Sequence, residues 1–192
     1  MNEIVEAIQD LEIARQLLPI WTNWGVMDES VSIHSLGISY LTHLGQYLGY
    51  VSISEFPVAR QGDYANIGDD VRPDSIWLDR TTQNPFLIAE FERYSGIDDQ
   101  AKLESKVANL LLAHHRLGET AKILVLAYWT QGLASLPDHA RFYQVLQQGF
   151  ETSTRQKVKG TNRANLLLFQ FLHQKQSDQR YCLVKILQRG RQ

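Results

Sequence analysis

Apolar residues recur at helical spacing in two stretches near the start of the chain. Residues 2–19 place them every three or four positions and end in a proline, which predicts an amphipathic helix over 2–19. A second stretch begins at Asp28-Glu29-Ser30, where polar side chains can cap a helix, and runs to about Leu48 before Gly49. The tryptophan-containing segment between the two helices is predicted to be a loop.

The middle of the chain contains both strand and helix patterns. The predicted strands cover 50–58, 74–80, 86–94 and 121–129. The first three follow one another through short connections, which predicts an antiparallel meander in which the second and third form a hairpin. A helix predicted from about Asp99 to Leu117 connects the third strand to the fourth, and such a crossover implies that this last pair is parallel.

The last third of the chain contributes one more helix and one more hairpin. The predicted elements are a helix over 136–150, a polar, basic loop over 151–165, strands over 166–174 and 181–187, and a frayed tail from Gln188 to Gln192. Together the patterns predict one α/β domain over residues 1–192. Its mixed β-sheet combines an antiparallel meander with a parallel strand after a crossover helix, and helices flank the sheet.

Composition narrows the class of protein. The chain has 192 residues, of which 44% are hydrophobic, enough for a packed core. No apolar run approaches the roughly 18 residues needed to span a bilayer, and the N-terminus has no basic region followed by an apolar one. We therefore expect a cytoplasmic protein without a membrane partner. The single cysteine, Cys182, excludes an internal disulfide and a cysteine-based zinc cluster.

The small net charge of −2 hides an uneven distribution. Residues 138–192 contain ten Lys or Arg and three Asp or Glu, whereas residues 1–137 contain nine and eighteen. An acidic part can hold a cation and a basic part can hold a phosphate backbone. A chance distribution of solvated charge is the alternative.

Three carboxylates are predicted to converge on the second and third strands. Asp74 opens the strand at 74–80, and Glu90 and Glu92 share one face of the next strand because side chains alternate along it. The strand around them is otherwise apolar, and ionised carboxylates are costly there unless they are paired, protonated or bound to a metal. The alternatives are a solvated face, or ion pairs with neighbouring arginines such as Arg72 and Arg93.

The segments Pro73-Asp74 and Glu90-Phe91-Glu92, with this order of elements over about 31–129, resemble the PD-(D/E)XK nuclease superfamily. The resemblance implies a restriction-endonuclease-like core over about 28–130, to which the helix 2–19 and a basic C-terminal part over 135–188 are added. It implies an endonuclease that hydrolyses DNA phosphodiester bonds with Mg²⁺ or Mn²⁺. The implied metal ligands are Asp74, Glu90 and the backbone carbonyl of Phe91. A homodimer is compatible with the resemblance.

The sequence departs from the superfamily pattern at Glu92, where most members carry a lysine. In some members the third residue is itself a glutamate, and in others the lysine has moved to the following helix. With the helix 99–117 running back along the strand, Glu90 lies roughly 13 Å below the strand end. Residue 106 lies roughly 10 Å along the helix, so that Lys106 can reach the site. Lys102, one turn away, is the weaker candidate.

A glutamate in the helix before the first strand is also common in the superfamily, and this sequence has Gly37-Ile38-Ser39 at about that level. Glu29 and Glu55 are more distant replacements. Either departure is compatible with a catalytically inactive nuclease-fold protein that binds nucleic acid or another protein. A third possibility is a structural or regulatory α/β domain.

Four basic residues are predicted to grip phosphates if the chain binds DNA. They are Arg155, Lys157, Lys159 and Arg163. Such contacts supply affinity but carry no sequence information.

Overall fold

The computed structural model describes residues 2–27, 31–68, 70–132 and 135–190 and has three layers, with a β-sheet between two layers of helices. The helices are α1 (Asn2–Gln9), α2 (Leu11–Leu17), α3 (Val31–Tyr47), α4 (Gln100–Arg116) and α5 (His139–Gln148). The strands are β1 (Val51–Ser54), β2 (Ser75–Leu78), β3 (Pro85–Arg93), β4 (Ile123–Gln131), β5 (Phe150–Glu151), β6 (Lys157–Val158), β7 (Asn165–Lys175) and β8 (Tyr181–Arg189). Within the described ranges, no helix is long and apolar enough to cross a membrane.

Six strands form the main sheet in the order β1-β2-β3-β4-β7-β8, and β5 pairs with β6 separately. The β1-β2-β3 part is antiparallel, β4 is parallel to both β3 and β7, and β7 pairs antiparallel with β8. The predicted mixed α/β class is therefore confirmed. The direction changes after β3 because α4 carries the chain back along the sheet before β4 begins.

The alternation of side chains along β3 divides the interior into two cores. Leu87, Ala89 and Phe91 pack with the cluster beneath α1, α2 and α3, whereas Ile88 packs with the cluster beneath α4 and α5. Glu90 and Glu92 share the face of Ile88 by the two-residue period. They therefore point toward α4 from a strand that is otherwise apolar.

The predicted N-terminal helix 2–19 is wrong in one respect, because the chain breaks at Asp10 into α1 and α2. The Asp10 carboxylate accepts hydrogen bonds from the backbone N–H groups of Glu12 and Ile13 at 2.8 and 3.4 Å, which begins a new helix. Ile20–Trp24, predicted to be a loop, forms one π-helical turn. The predicted cap at Asp28-Glu29-Ser30 lies outside the described residues.

Other boundaries also differ from the sequence predictions. The predicted strand 50–58 ends at Ser54, since Glu55 has φ +51° and turns the chain. The predicted helix 136–150 begins only at His139, where the Asp138 carboxylate caps the N–H of Ala140 at 3.0 Å. The predicted loop 151–165 contains the β5–β6 hairpin, and β8 extends through Arg189 into the tail that was expected to fray.

Candidate active site

Asp74 is fixed where the β2–β3 hairpin opens. The paired register of the two strands ends at Ser75 and Ala89, and β3 continues alone on that side. The Phe91 backbone N–H, which has no β2 residue opposite it, donates a 2.7 Å hydrogen bond to Asp74 Oδ2. The end of the hairpin thus places Asp74 beside the exposed backbone edge of β3.

Glu90 lies against Asp74 in the interior. The exposed fractions of Asp74 and Glu90 are 3% and 1%, and their carboxyl groups are within hydrogen-bonding reach of each other. Burial first, and then the neighbouring Asp74 charge, raises the pKa of Glu90 to about 8, although Lys106 opposes the shift. The pair therefore holds a proton to a much higher pH than an ordinary glutamate does.

Lys106 of α4 completes this group. Its Nζ lies 2.7 Å from Glu90 Oε2, and about a quarter of its side chain is exposed. Burial alone would lower the pKa of Lys106, but Glu90, Asp74 and Glu92 together outweigh burial and raise that pKa. The amine therefore stays protonated beside Glu90.

Glu92 pairs with a different lysine of the same helix. Lys102 Nζ lies 2.8 Å from Glu92 Oε1, which also accepts a 2.7 Å hydrogen bond from the Arg93 backbone N–H. Four residues of a helix rise about 6 Å, and two residues of a strand span about 6.6 Å. Two side chains four residues apart on α4 are therefore spaced like two side chains two residues apart on β3. The match leaves Lys106 opposite Glu90 and Lys102 opposite Glu92.

The oxygen atoms around Asp74 suit a small divalent cation. In an extended strand the N–H and C=O of one residue face the same edge, so the Phe91 carbonyl faces the edge from which its N–H contacts Asp74. The described residues contain no group of three or more His, Cys, Asp or Glu that could hold a metal ion. Mg²⁺, however, is commonly held by one or two carboxylates together with waters and substrate phosphate. Asp74, Glu90 and the Phe91 carbonyl fit that pattern.

Gly37 of α3 packs directly against β3. A Cβ atom on Gly37 would lie 2.2 to 2.3 Å from atoms of the Phe91 ring, so no side chain fits at Gly37. Glu55 is exposed, and its backbone N–H bonds the Asp74 carbonyl at 3.3 Å. Glu29 lies outside the described residues.

A cavity of about 450 Å³ opens beside Glu92, between the first turns of α3 and α4. His34, Arg93, Lys102 and Trp129 are among the residues around it. The Arg93 guanidinium lies over the Trp129 ring, 5.2 Å from its centre. Of the three carboxylates, the cavity reaches Glu92, on the side where Lys102 pairs with it.

The structure separates the four basic residues predicted to grip phosphates. Arg155 and Lys157 are exposed on the β5–β6 hairpin, and Lys159 is exposed just after it. Arg163 lies 2.9 Å from Glu119, just beyond the C-terminal end of α4. That end of α4 is about 15 Å along the helix axis from Lys106. The four residues therefore do not form one patch around the carboxylates.

The sequence analysis missed a second cavity, a groove of about 710 Å³ on the outer side of α4. One wall is the loop before β2 and the other is the β5–β6 hairpin. Its lining includes Ser105, Ala108, Asn109, Leu112, Val71, Phe150, Thr152 and Gln156. The polar Asn109 in an amphipathic helix was the only local signal, and any surface helix carries such residues.

Two buried histidines, His114 and His173, are placed as neutral groups. His114 and His173 are fully buried, and neither ring finds a hydrogen-bond partner among the described residues. Burial first, and then neighbouring charges such as that of His115, lowers the pKa of His114 to about 4. Burial lowers the pKa of His173 to about 3. Neither residue belongs to the carboxylate site.

We compared the chain with protein-family models, with curated proteins and with solved structures, and found no match in any of the three.

Proposed function

We propose that the chain is a metal-dependent endonuclease that hydrolyses DNA phosphodiester bonds with a PD-(D/E)XK-like site. The observation that supports this most is the convergence of two buried carboxyl groups and one ammonium group, from Asp74, Glu90 and Lys106. Placing two carboxylates together in an apolar interior is costly, and perturbed groups of this kind are concentrated at functional sites.

Asp74, Glu90 and the Phe91 carbonyl would hold Mg²⁺ or Mn²⁺, the ions that prefer oxygen ligands. When bound, the ion supplies charge neutralisation at the scissile phosphate and a water of lowered pKa. The Phe91 N–H holds the Asp74 carboxylate in position through its 2.7 Å hydrogen bond. Glu90 releases its proton when it becomes a ligand, because a ligating carboxylate must be ionised.

Lys106 takes the part that the strand lysine plays in most members of the superfamily. Its ammonium group lies where it can orient the attacking water and offset the negative charge that develops on the phosphate. Glu92 is the less suitable candidate for this role because Lys102 and the Arg93 N–H already occupy Oε1. We therefore assign the third catalytic position to α4 and not to β3.

The test is cleavage of plasmid, linear, single-stranded and branched DNA in Mg²⁺ or Mn²⁺ by wild type and four variants. Asp74→Asn and Glu90→Gln should abolish cleavage. Lys106→Met should lower the rate by about 10²- to 10³-fold, as removal of one charge-stabilising donor does elsewhere. Lys102→Met is the matched control, since Lys102 is on the same helix face and also pairs with a buried glutamate. Equal losses in the two lysine variants would contradict the assignment of Lys106.

The alternative is a catalytically inactive nuclease-fold protein that binds nucleic acid or another protein. It is favoured by the fact that Glu90 and Glu92 already have lysine partners, which balance their charge without a metal. Salt-sensitive DNA binding in wild type and all four variants, with no metal-dependent cleavage by any of them, would support this alternative. A cytoplasmic location and a homodimer stay predictions of the sequence and of the resemblance.

A further inference from the structure

We propose that the groove on the outer side of α4, called the α4 groove below, binds an unpaired nucleic-acid strand. The bases lie inside the groove, and the phosphates follow its rim toward the carboxylate site. This inference deepens the proposed nuclease function and rests on it for the chemistry, but strand binding is measured separately from cleavage.

The lining of the α4 groove matches the two sides of a nucleobase. Its apolar part comes from Ala108, Leu112, Val145 and Phe150, and can pack against the flat face of a base. Its polar part includes Asn109, whose amide group can donate to and accept from base edges. The volume of about 710 Å³ lies within the usual range of ligand sites, about 300 to 1,000 Å³.

Charge excludes phosphate from the interior of the groove. None of the described residues that line it is Lys or Arg, whereas Asp70, Glu104 and Glu151 do line it. Asp70 is paired with Arg60 at 2.8 Å, and Glu104 accepts a 2.9 Å hydrogen bond from the Gln100 amide. Glu104 also lies 3.5 Å from Arg141. An uncharged base can enter between these groups, whereas the described lining offers a phosphate no Lys or Arg inside the groove.

Positive charge lies instead on the rim of the α4 groove. Lys157 is exposed and directly opposite Glu151 in the β5–β6 pair, so it lies on the face of the hairpin that borders the groove. Arg155 is exposed in the turn between Thr154 and Gln156, both of which line the groove. Two of the four predicted phosphate-binding residues therefore border a cavity suited to bases.

One end of the groove is closed, and the lining at the other end is formed by neighbours in sequence of the carboxylate-site residues. At the closed end, the Gln156 amide contacts the Asn66 carbonyl at 3.4 Å. At the other end the lining includes Ser105 and Val71. Ser105 directly precedes Lys106 in the sequence, and Val71 lies three residues before Asp74. A strand lying in the groove therefore directs its backbone toward Asp74, Glu90 and Lys106.

A paired duplex does not offer its bases to such a groove. In a duplex the base faces are stacked and the base edges are paired. Unstacking and unpairing one base costs roughly a few kcal/mol. Unpaired strands present both at no such cost. The substrate class inferred for the carboxylate site is therefore a single-stranded or locally opened nucleic acid.

The experiment measures binding of a fluorescein-labelled 12-nucleotide strand by fluorescence anisotropy, in EDTA so that no cleavage occurs. Single-stranded DNA, single-stranded RNA and duplex DNA of the same sequence are compared. Ala108→Phe fills the groove, and Ala101→Phe is the matched control because Ala101 is exposed on α4 outside the groove. Loss of one stacked base corresponds to about five- to 150-fold in Kd. We expect a loss in this range for Ala108→Phe and none for Ala101→Phe.

A second pair of variants keeps the test valid if Ala108→Phe does not fold. Asn109→Asp adds a negative charge inside the groove and should also weaken strand binding, whereas Asn84→Asp in the β2–β3 turn should not. The inference is overturned if wild type binds duplex as tightly as single strand. It is also overturned if neither groove variant weakens strand binding. DNA or RNA binding tighter by more than tenfold identifies the strand type.

Failure of the nuclease function would appear differently. If the wild type binds single strands in the groove but cleaves none of them with Mg²⁺ or Mn²⁺, the groove inference stands and the nuclease proposal is contradicted. If cleavage depends on Asp74 but neither groove substitution affects it, the nuclease proposal stands and the groove inference is contradicted.

Discussion

Glu90 shows how one residue can combine stability and chemistry in opposite ways. Its carboxyl group is buried beside Asp74 and has a raised pKa of about 8. The folded state is therefore more stable when Glu90 is protonated. The proposed role as a metal ligand needs the ionised form. The ionised form of Glu90 is therefore a local cost to the fold, which a bound cation would remove.

Glu90→Gln should make the fold less sensitive to alkaline pH. The folded pKa of about 8 is higher than the ordinary value of 4.5, so between these values the folded state binds a proton that the unfolded state lacks. Wild-type stability therefore falls as pH rises from about 4.5 to 8, by at most about 1.4 kcal/mol per pH unit from this group. In urea unfolding from pH 5 to 9, the free energy of unfolding of the variant should rise relative to that of wild type as the pH rises.

Asp74→Asn serves as the comparison in that series. It removes the second cause of the raised pKa of Glu90 and leaves the first, burial, so its gain should have the same sign and a smaller size. A difference between Glu90→Gln and wild type that stays constant from pH 5 to 9 would contradict the protonated carboxyl pair.

Gly37→Ala should destabilise the protein, although alanine is the better helix former by about 1 kcal/mol. The added Cβ would meet the Phe91 ring at 2.2 to 2.3 Å, and overpacking of that kind costs about 1 to 3 kcal/mol. Urea unfolding measures the net change. Ser35→Ala, at an exposed position of the same helix, is the control and should change stability by less than about 0.5 kcal/mol.

At the scale of elements, α4 and β3 explain why part of the site could be predicted from sequence. The rise per residue of a helix and of a strand places Lys106 near the level of Glu90, and the structure shows the contact. The separate pairing of Glu92 with Lys102 was not predicted. It depends on how far α4 is rotated on the sheet, which sequence spacing does not determine.

The same match between α4 and β3 predicts a rescue experiment. Lys106→Met should reduce cleavage by about 10²- to 10³-fold. Adding Glu92→Lys to that variant places an ammonium group two residues after Glu90, where most members of the superfamily have it. We expect the double variant to recover at least about tenfold of the lost rate, an energy of about 1.4 kcal/mol. No recovery, with melting temperature unchanged, would show that the two lysine positions are not equivalent.

The elements that the sequence analysis placed well are long and strongly patterned. The β2–β3 hairpin and the buried strand β4 have clear signals, and both occur as predicted apart from their ends. The β5–β6 hairpin was missed because two-residue strands have no measurable period. The break at Asp10 has a recognisable capping residue, but the apolar positions continue through it in helical register.

At the scale of the whole molecule, the basic residues predicted to contact phosphates lie in two separate regions. Arg155 and Lys157 border the α4 groove, whereas Arg163 pairs with Glu119 at the far end of α4. A count along the chain cannot reveal this division. The position of β7 beside β4 also could not be predicted, since it pairs strands about 40 residues apart through tertiary packing alone.

The salt dependence of strand binding should separate these two regions. Each phosphate contact on a single strand contributes about 0.7 to the slope of log K against log salt concentration. Arg155→Ala and Lys157→Ala should each reduce the slope by about that amount. Arg163→Ala should leave it unchanged, and an equal reduction in all three variants would contradict a strand path along the hairpin.

Acid stability is a second property of the whole fold. His173 is neutral inside an aromatic cluster, because burial lowers its pKa to about 3, whereas its unfolded pKa is 6.5. A lowered histidine pKa means that the unfolded state binds the extra proton, so stability is lost as pH falls below about 6.5. His173→Phe should remove up to about 1.4 kcal/mol of that loss per pH unit. Thermal unfolding from pH 7 to 4 tests it, and equal losses in wild type and variant would contradict it.

The central place of β4 has a consequence for a chain that is still being synthesised. Asp74, Glu90 and Lys106 all precede β4, yet β3 has its full set of neighbours only after residues 123–131 have been added. A nascent chain that ends at α4 would expose one backbone edge of β3 and the apolar face of α4, and such edges recruit other chains. The sheet beside the carboxylate site is therefore closed only after the ribosome has released β4.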